Sequence, residues 1–305
     1  MIKVFGHKAP DTDATGSAIV WSWYLSEIKG QAATPKLLGT PNTEAAFVLK
    51  RWGFSRPGII VDVSKGDDVV IVDTNNPTEL PASINDANII EIIDHHMLVG
   101  GIKTKAPIDI TMRPLACTAT IMAELISSDL AKAPKAIKGL ILSCILSDTL
   151  EFRSPTTTDT DVALANALAD ELAIKIPDYA AEMFVAKSDV SAFSDAKLLR
   201  MDSKMYEVGN KNFRVSVLET TSPGIVLGRK ASLMEAMKTV ANEDNVDQVL
   251  LFVVDILKEE STLLVANDLV KTLAEKSFGV VARGDTVVLP GIISRKKQII
   301  PQLAL

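Results

Sequence analysis

The sequence predicts an α/β fold in which a mostly parallel sheet flanked by helices forms the N-terminal part and a smaller α/β unit follows. Three observations support this prediction. Short apolar runs without polar alternation are typical of strands that are buried on both faces. Helical patterns separate these runs, as crossovers between parallel strands require. The chain of 305 residues also exceeds the roughly 250–300 residues at which a single hydrophobic core usually stops growing, which favours two domains.

In the N-terminal half, strand patterns and helix patterns alternate. Runs of apolar, mostly β-branched residues predict strands at Ile2–Phe5, Val69–Val72 and Ile89–Ile93. Apolar residues at helical spacing predict helices at Ser17–Ile28, Thr43–Trp52, Cys117–Ser128, Ala136–Leu150 and from the capping residues Thr156–Asp159 to about Ala173. This alternation is typical of a parallel sheet with helices packed against it.

The apolar periodicity lapses around Lys187 to Asp195, and we place a domain boundary there, between residues 1–188 and 189–305. Beyond it, Gly209-Asn210 predicts a hairpin turn between two strands. The second domain is predicted to contain strands at Lys204–Val208, Phe213–Leu218, Gln248–Ile256, Thr262–Ala266 and Thr286–Leu289, with helices near Leu233–Ala241 and from Leu269.

Composition excludes several classes of protein. A formal net charge of −6 gives no basic face of the kind that nucleic-acid binding requires. Apolar runs such as Val249–Val254 fall far short of the roughly 20 residues of a membrane helix, and Met1–His7 lacks the pattern of a signal peptide. We therefore expect a cytoplasmic protein without nucleic-acid or membrane partners, in which Cys117 and Cys144 are buried free thiols.

The chain has three histidines, and each lies beside acidic residues at a predicted strand end: His7, His95 and His96. Imidazole nitrogen together with Asp oxygen suits Mn²⁺, Co²⁺, Fe²⁺ or Zn²⁺, whereas oxygen ligands alone favour Mg²⁺ or Ca²⁺. His7 is followed by Asp11 and Asp13 in a loop that leaves the carboxyl end of a strand, where open α/β sheets bind ligands. The alternative is that both Asp residues only cap the next helix.

Further acidic residues stand at similar places. Asp73 ends a buried strand, although strand-terminal Asp also caps turns. Asp94 precedes His95 and could hold an imidazole N–H. Because neighbours on an extended chain point to opposite sides, we expect only one of His95 and His96 to face a given metal. Asp148 lies three-quarters along an apolar helix, where a charge is costly unless it is paired, bound to metal or capping the following residues.

Six of these side chains are candidate metal ligands: His7, Asp11, Asp13, Asp73, His95 and Asp148. They provide enough ligands for two ions if one carboxylate bridges the two ions. Two adjacent metals are the usual arrangement for displacement at phosphorus, and a water that bridges them becomes hydroxide near neutral pH.

Five short motifs occur along the chain: GHKAPDTDA at 6–14, DHH at 94–96, CTAT at 117–120, SPTTT at 154–158 and SRKKQ at 294–298. In this order and spacing they resemble family II, manganese-dependent inorganic pyrophosphatases of the DHH phosphoesterase superfamily. The resemblance spans the whole chain, and the SRKKQ motif distinguishes pyrophosphatases from other DHH enzymes.

The resemblance implies roles for individual residues. One ion would bind His7, Asp11 and Asp73, and the other would bind Asp13, Asp73, His95 and Asp148, so that Asp73 bridges. Catalysis would fall to His96, Asp13 and Asp73, and the substrate phosphates would bind His96, Lys204, Arg295 and Lys296. It also implies Mn²⁺ or Co²⁺ as tight activators, Mg²⁺ that accompanies the substrate, and a homodimer.

Arg295-Lys296-Lys297 is the only run of three basic residues in the chain. Such a triplet is often part of a solvated tail, but isoleucines at 292, 293, 299 and 300 argue against a mobile segment here. Pyrophosphate, with a charge near −3 or −4, needs several cations, and Arg offers bidentate contacts where Lys offers a point charge.

The sequence therefore predicts hydrolysis of pyrophosphate to two phosphates by a metal-bridged hydroxide at a dinuclear site. The metals would lie in domain 1–188, the basic residues in domain 189–305 and the active site in the cleft between them. Alternatives are another DHH phosphoesterase, such as an exopolyphosphatase or a nuclease, and a non-catalytic metal-binding or phosphate-sensing protein. No histidine follows His96, whereas those other DHH enzymes typically end in a glycine-rich motif with a His. A P-loop NTPase is excluded because no G-x-x-x-x-G-K-[ST] is present.

Overall fold

A computed structural model describes all 305 residues. The chain divides into two compact units, Met1–Ala186 and Lys187–Leu305. The first unit contains a six-stranded parallel sheet with helices, and the second contains a five-stranded mixed sheet with helices, so the predicted α/β fold class is confirmed. None of the helices is both long and apolar enough to cross a membrane.

The sheet of the first unit has the strand order β3-β2-β1-β4-β5-β6, and every pair of neighbours is parallel. Its strands are β1 (Ile2–Phe5), β2 (Ala33–Leu37), β3 (Gly58–Ile59), β4 (Asp68–Val72), β5 (Asn88–Asp94) and β6 (Asp109–Met112). The three strands predicted from apolar runs are the three central ones, because only these are buried on both faces.

Helices cover one face of this sheet. They are α1 (Thr12–Trp23), α2 (Thr43–Arg51), α3 (Thr118–Ile126), α4 (Lys135–Asp148), α5 (Asp159–Leu172) and α6 (Ile176–Lys187). Val4, Val70 and Ile93 point into the core that these helices share, whereas Phe5 and Ile71 point into a smaller core on the other face, beneath loops and short 3-10 turns. The alternation of side chains along each strand therefore supplies both cores.

Two helix boundaries differ from the prediction in ways that matter for the acidic residues. Helix α1 begins at Thr12, so Asp11 is its N-cap and Asp13 lies in its first turn rather than ahead of it. Helix α4 ends at Asp148, which is therefore its last residue and not three-quarters along it. All three carboxylates consequently stand at helix ends, where polar side chains can reach other elements.

The second unit has the strand order β11-β10-β9-β8-β7, in which only β8 and β9 are parallel. Its strands are β7 (Ser203–Val208), β8 (Lys211–Thr220), β9 (Gln248–Asp255), β10 (Glu260–Leu264) and β11 (Thr286–Pro290), and its helices are α7 (Asp195–Met201), α8 (Pro223–Leu227), α9 (Lys230–Glu243), α10 (Asp268–Phe278) and α11 (Ile300–Gln302). The predicted hairpin is confirmed, and Gly209 and Asn210 both adopt the positive φ that its tight turn requires.

Asp244 holds together three elements of the second unit. Its carboxylate accepts hydrogen bonds from Arg200 on α7, with Nη2 to Oδ1 at 2.9 Å, and from Arg214 on β8, with Nε to Oδ2 at 2.6 Å. Asp244 itself follows the last residue of α9. The hydrogen bond from Arg200 is the main reason why the pKa of Asp244 lies below its ordinary value.

We expect Asp244→Asn to lower the free energy of unfolding of this unit by about 1–2 kcal/mol at neutral pH, the scale of a partly exposed, charge-assisted contact. Because the pKa of Asp244 is lower in the folded than in the unfolded chain, this stabilisation is fully present above about pH 4 and is lost as the pH falls through the folded pKa. Urea unfolding of both proteins at about pH 7 and pH 3 checks this. A difference that is as large at the acidic pH as at pH 7 would show that charge is not its source.

Candidate metal centre

His7 stands in the loop between β1 and α1, together with Asp11. The loop is tightly packed at its start, because a Cβ on Gly6 would lie only 2.8 Å from the Cβ of Ala14. The Nε2 atom of His7 lies 3.6 Å from Oδ2 of Asp11 and 3.4 Å from Oδ2 of Asp73, which follows β4. Two neighbouring parallel strands thus bring an imidazole and two carboxylates to one edge of the sheet.

His95 approaches the other oxygen of Asp73. Its Nε2 atom lies 3.4 Å from Oδ1 of Asp73 and 3.8 Å from Oδ2 of Asp148, at the end of α4. The other ring nitrogen, Nδ1, lies 3.2 Å from the backbone oxygen of Leu115 and donates to it, since a carbonyl can only accept. In the neutral ring the lone pair is therefore on Nε2, the nitrogen near the carboxylates, which is the tautomer of a metal ligand.

Asp73 occupies the centre of this arrangement. It is buried, and its two carboxylate oxygens face two different histidines. Its backbone has φ of +59°, a left-handed conformation that is uncommon outside glycine and asparagine. A backbone N–H···O bond of 2.9 Å to Ile93 fixes this turn against β5. Strain in the backbone at this position is a further sign that the direction of the side chain matters.

Asp13 points toward the N-terminus of α3. Its carboxylate accepts hydrogen bonds from the backbone N–H groups of Thr118 at 2.6 Å and Ala119 at 3.1 Å and from the hydroxyl of Ser17 at 3.0 Å. The Thr118 hydroxyl donates to Asp73 at 3.0 Å. Sequence reasoning assigned no role to Thr118; its position in the CTAT motif before a helical pattern was the available signal. The start of α3 therefore orients two of the candidate ligands.

His96 follows His95 beyond the end of β5, and the two rings lie 4.2 Å apart. The expectation that the two histidines point to opposite sides is wrong, because the strand ends at Asp94 and the chain turns. The Nδ1 atom of His96 donates to Asp94 at 2.9 Å, as the sequence suggested for a ring N–H beside Asp94. Asp94 is itself held by Asn75, whose side-chain nitrogen donates to it at 2.6 Å.

The cluster favours positive charge at its histidines. Burial lowers the pKa of His7, but the neighbouring Asp11 and Asp73 outweigh this effect and raise that pKa to about 10. Burial likewise lowers the pKa of His95, which Asp73 and Asp13 nevertheless raise to about 9. Burial also opposes ionisation of Asp73, yet the two histidines hold its pKa well below the ordinary range. A bound cation meets the same electrostatic demand as these protons.

The donor atoms fall into three groups, of which the first two share Asp73, and within each group they lie within 4.8 Å of one another: His7, Asp11 and Asp73; Asp73, His95 and His96; and Asp13, Cys117 and Asp148. Nitrogen and carboxylate donors suit Mn²⁺, Fe²⁺, Co²⁺ or Zn²⁺. The Cys117 thiol is buried, and burial raises its pKa well above the ordinary value, so it stays protonated. Side chains from four segments thus provide oxygen and nitrogen donors suited to such metal ions.

Carboxylates and imidazoles of this cluster line a cavity of about 160 Å³. Its walls are Asp11, Asp73, His95, His96, Ala116, Asp148 and Thr156. Thr156 belongs to the SPTTT motif, so that motif contributes directly to the cavity. The structure thus brings together the predicted residues of the first unit, including His96.

The predicted basic residues of the second unit are Lys204, Arg295 and Lys296. Arg295 donates from Nη2 to Oδ1 of Asp202 at 2.7 Å and from Nη1 to the backbone oxygen of the same residue at 2.8 Å. Asp202 stands two residues before Lys204, which is exposed on β7, and Lys296 is exposed beside Arg295. The structure therefore brings Arg295 close to the strand that carries Lys204.

The SRKKQ segment is firmly held. The side chain of Gln298 accepts hydrogen bonds from the backbone N–H groups of Ile293 at 3.0 Å and Ser294 at 2.9 Å and donates to the backbone oxygen of Gly291 at 2.6 Å. Ile299 is fully buried in the core of this unit. The segment is therefore not a mobile tail, which agrees with the prediction from the flanking isoleucines.

Comparison with known proteins gives the class of protein that this fold and site define. Residues 1–147 match the DHH family, N-terminal domain, and residues 181–304 match the DHHA2 domain. A Bacteroides fragilis structure of an exopolyphosphatase-related protein shares the fold, with a TM-score of 0.52, 15% identity, and coverage of 98% of this chain and 89% of that one. The chain thus has the two-domain composition of the DHH superfamily.

Closer relatives give the family. Two proteins named "Probable manganese-dependent inorganic pyrophosphatase" are similar to this chain. The one from Deinococcus radiodurans is 38% identical, and the match covers 99% of this chain and 98% of the relative. The one from Lactobacillus acidophilus is 35% identical, and the match covers 98% of this chain and 96% of the relative. A crystal structure from Methanococcus jannaschii, named for family II inorganic pyrophosphatases, has a TM-score of 0.63, 33% identity, and coverage of 99% of this chain and 98% of that one. The chain belongs to the family of manganese-dependent, family II inorganic pyrophosphatases and is therefore an enzyme of the hydrolase class.

Proposed function

We propose that this chain hydrolyses inorganic pyrophosphate to two phosphates at a pair of Mn²⁺ or Co²⁺ ions, with a metal-bridging hydroxide as the nucleophile. The observation that carries the proposal is the position of Asp73, whose two oxygens each lie 3.4 Å from the Nε2 atom of a different histidine. His7, Asp11 and Asp73 would hold one ion. The second would be held by Asp13, Asp73, His95 and Asp148. When bound, the ions supply Lewis acidity and lower the pKa of a coordinated water.

Side chains of the protein act on the leaving phosphate. His96 binds the substrate and assists the leaving phosphate. Its Nδ1–H is donated to Asp94, which leaves Nε2 free for the substrate and, as the main cause, raises the pKa of the ring. A raised pKa favours the protonated imidazole, a donor suited to a phosphate oxygen that gains charge. Asp94 thereby sets both the orientation and the protonation of His96.

Substrate binding also involves Lys204, Arg295 and Lys296 in this proposal. Their positive charges offset the charge of pyrophosphate, which arrives with Mg²⁺. The metals are thus assigned to residues 1–188 and most of the substrate contacts to residues 189–305. A homodimer and a cytoplasmic location, both expected from the sequence, belong to the same proposal.

A substrate and metal matrix tests the proposed function. Phosphate release is measured from pyrophosphate, tripolyphosphate, ATP and a dinucleotide, each with Mn²⁺, Co²⁺, Zn²⁺ or Mg²⁺ as the only added ion. We expect pyrophosphate to be the best substrate and Mn²⁺ or Co²⁺ the best tight activator. Faster release from tripolyphosphate would favour an exopolyphosphatase, and cleavage of the dinucleotide alone would favour a nuclease.

The basic residues of the second unit give a separate prediction. We expect Arg295→Ala to raise KM for pyrophosphate by about 10-fold to 100-fold, because a charge-assisted contact to phosphate contributes on the order of 1.5–3 kcal/mol. Arg295→Lys should also be costly, since it keeps the charge but loses the planar fork. Mn²⁺ affinity should not change in either variant. Kinetics and Mn²⁺ titration of the purified variants provide the measurement.

Lys297→Ala is the matched control, because it removes the same charge from an exposed neighbour that has no assigned substrate contact. Equal KM values for Arg295→Ala, Lys297→Ala and the unmodified enzyme would disprove the substrate contact. Loss of Mn²⁺ affinity in Arg295→Ala would contradict the assignment of metals and substrate contacts to different parts of the chain.

A further inference from the structure

Glu44 is a fully buried carboxylate in the first turn of α2. Its Oε2 atom accepts a hydrogen bond from the hydroxyl of Thr12 at 2.9 Å and another from the hydroxyl of Ser147 at 2.6 Å. Both donors are themselves buried. One carboxylate oxygen therefore joins the start of α1 to the end of α4, two segments that are 135 residues apart in sequence, from 12 to 147.

The two donors are direct neighbours of candidate metal ligands. Thr12 stands between Asp11 and Asp13, and Ser147 immediately precedes Asp148. The Oε2 atom of Glu44 contacts the hydroxyls of residues adjacent to the ligands rather than the ligand side chains. Its hydrogen bonds nevertheless reach the backbone segments that carry three of the six acidic and imidazole side chains of the centre.

The start of α2 is also fixed to the loop that carries His7. The backbone N–H of Asn42 donates to the backbone oxygen of Pro10 at 3.0 Å, and the side chain of Asn42 caps α2. A Cβ on Gly39 would lie 2.5 Å from the backbone oxygen of Lys8, so the chain before α2 packs directly on this loop. The carboxylate of Glu44 is thus presented by a segment that is anchored to the ligand loop by its own backbone.

We propose that Glu44 is a positioning residue that fixes the spacing between the Asp11–Asp13 segment and Asp148 and thereby sets the affinity of the protein for its two ions. A carboxylate in a fully buried position is costly unless hydrogen bonds satisfy it. The two hydroxyl donors satisfy Oε2, and the position of Glu44 in the first turn of α2 favours its negative charge. The proposal rests on the proposed function, because it takes Asp11, Asp13 and Asp148 as ligands.

The test compares Mn²⁺ affinity in the full-length, chelator-treated protein with its Glu44→Ala and Glu44→Gln variants. Free Mn²⁺ is followed by electron paramagnetic resonance during titration, and the melting temperature is measured without metal. We expect Glu44→Ala to weaken Mn²⁺ binding by about 10-fold to 100-fold, the usual effect of removing a group that orients a metal ligand. Glu44→Gln should bind more tightly than Glu44→Ala, because an amide oxygen can still accept from the two hydroxyls.

Glu91→Gln is the matched control for loss of a carboxylate in the same unit. Glu91 is partly buried on β5 and accepts a 2.7 Å hydrogen bond from Nε1 of Trp21, with no contact to the Asp11–Asp13 segment or to Ser147. We expect this variant to keep the Mn²⁺ affinity of the unmodified protein. A loss of affinity that is equal in Glu91→Gln and Glu44→Ala would overturn the proposal, because general destabilisation would then explain both.

Thr12→Val and Ser147→Ala test the same links with Glu44 left in place. Each removes one hydroxyl donor, and each should weaken Mn²⁺ binding. In a variant that combines Thr12→Val with Ser147→Ala, the further change Glu44→Gln should have little effect on Mn²⁺ affinity, since the hydroxyls that Glu44 contacts are gone. If Glu44→Ala fails to fold, these variants decide the question alone, and unchanged affinity in both would overturn the proposal.

The unmodified protein separates this inference from the proposed function. If it binds no tight pair of Mn²⁺ ions, the proposed metal site is wrong. If it binds the pair while the variants at Glu44, Thr12 and Ser147 bind it equally well, the site stands and only the positioning role of Glu44 fails.

Discussion

Asp73→Asn is expected to abolish tight binding of the ion pair and to reduce turnover by at least about 10³-fold, because two charge-stabilising contacts are weakened by one substitution. Asp73 is the residue whose oxygens face both His7 and His95. Asn places an amide nitrogen where one of those oxygens stands and removes the negative charge. The effect should exceed that of Asp11→Asn, since Asp11 approaches His7 alone among the histidines and is more exposed.

The backbone makes this substitution a clean probe. Asp73 has φ of +59°, and asparagine tolerates the left-handed region better than most residues do. The variant should therefore fold with an unchanged turn after β4, which circular dichroism can verify. Metal content after exhaustive dialysis and kcat with added Mn²⁺ are the measurements. Retention of two tightly bound Mn²⁺ ions with near-normal turnover would show that Asp73 does not bridge.

His96→Gln is expected to keep both ions and to lose about 10²-fold to 10⁴-fold in kcat, the scale of a positioned acid or a strong contact to the transition state. The reason lies in the hydrogen bonds of the two adjacent rings. Nδ1 of His96 donates to Asp94, so its remaining nitrogen is directed away from that carboxylate. Nδ1 of His95 donates to the backbone oxygen of Leu115, and its Nε2 faces Asp73 and Asp148.

His95→Gln is the matched comparison, and it should weaken Mn²⁺ binding instead. The comparison is needed because the rings are only 4.2 Å apart and Nδ1 of His96 also lies 3.9 Å from Oδ1 of Asp73. Mn²⁺ titration and kcat are measured for both variants. Equal loss of metal in both, or loss confined to His96→Gln, would show that the ligand of the pair is assigned to the wrong histidine.

Much of the fold could be predicted because its central strands are buried on both faces. The runs at Val69–Val72 and Ile89–Ile93 have no polar alternation, and each lies within an observed strand. The strands β2, β3 and β6, of which β3 and β6 form the two edges of the sheet, were missed for the opposite reason. They are short and partly exposed, and β2 contains Pro35, so the sequence carries no continuous apolar signal there.

The residues around the site were predictable in kind but not in orientation. Histidine next to aspartate at a strand end is visible in sequence, and the structure brings these side chains together. The side-by-side placement of His95 and His96 was not predictable, because it depends on where β5 ends. The contacts of Thr118 and Glu44 were not predictable either, since their partners lie 45 and 103 residues away, at Asp73 and Ser147.

The hydrogen bonds at the start of α3 bear on the order of folding and metal binding. Asp13 and Asp73 receive backbone and hydroxyl hydrogen bonds from Thr118, and Asp94 receives one from Asn75. Because the chain itself donates these hydrogen bonds, we expect the polypeptide to reach its native state before it acquires any ion. The protein would then take up its metal after folding. The ion in each molecule would depend on the ions available to the folded protein, and a change in that supply would alter the enzyme without new synthesis.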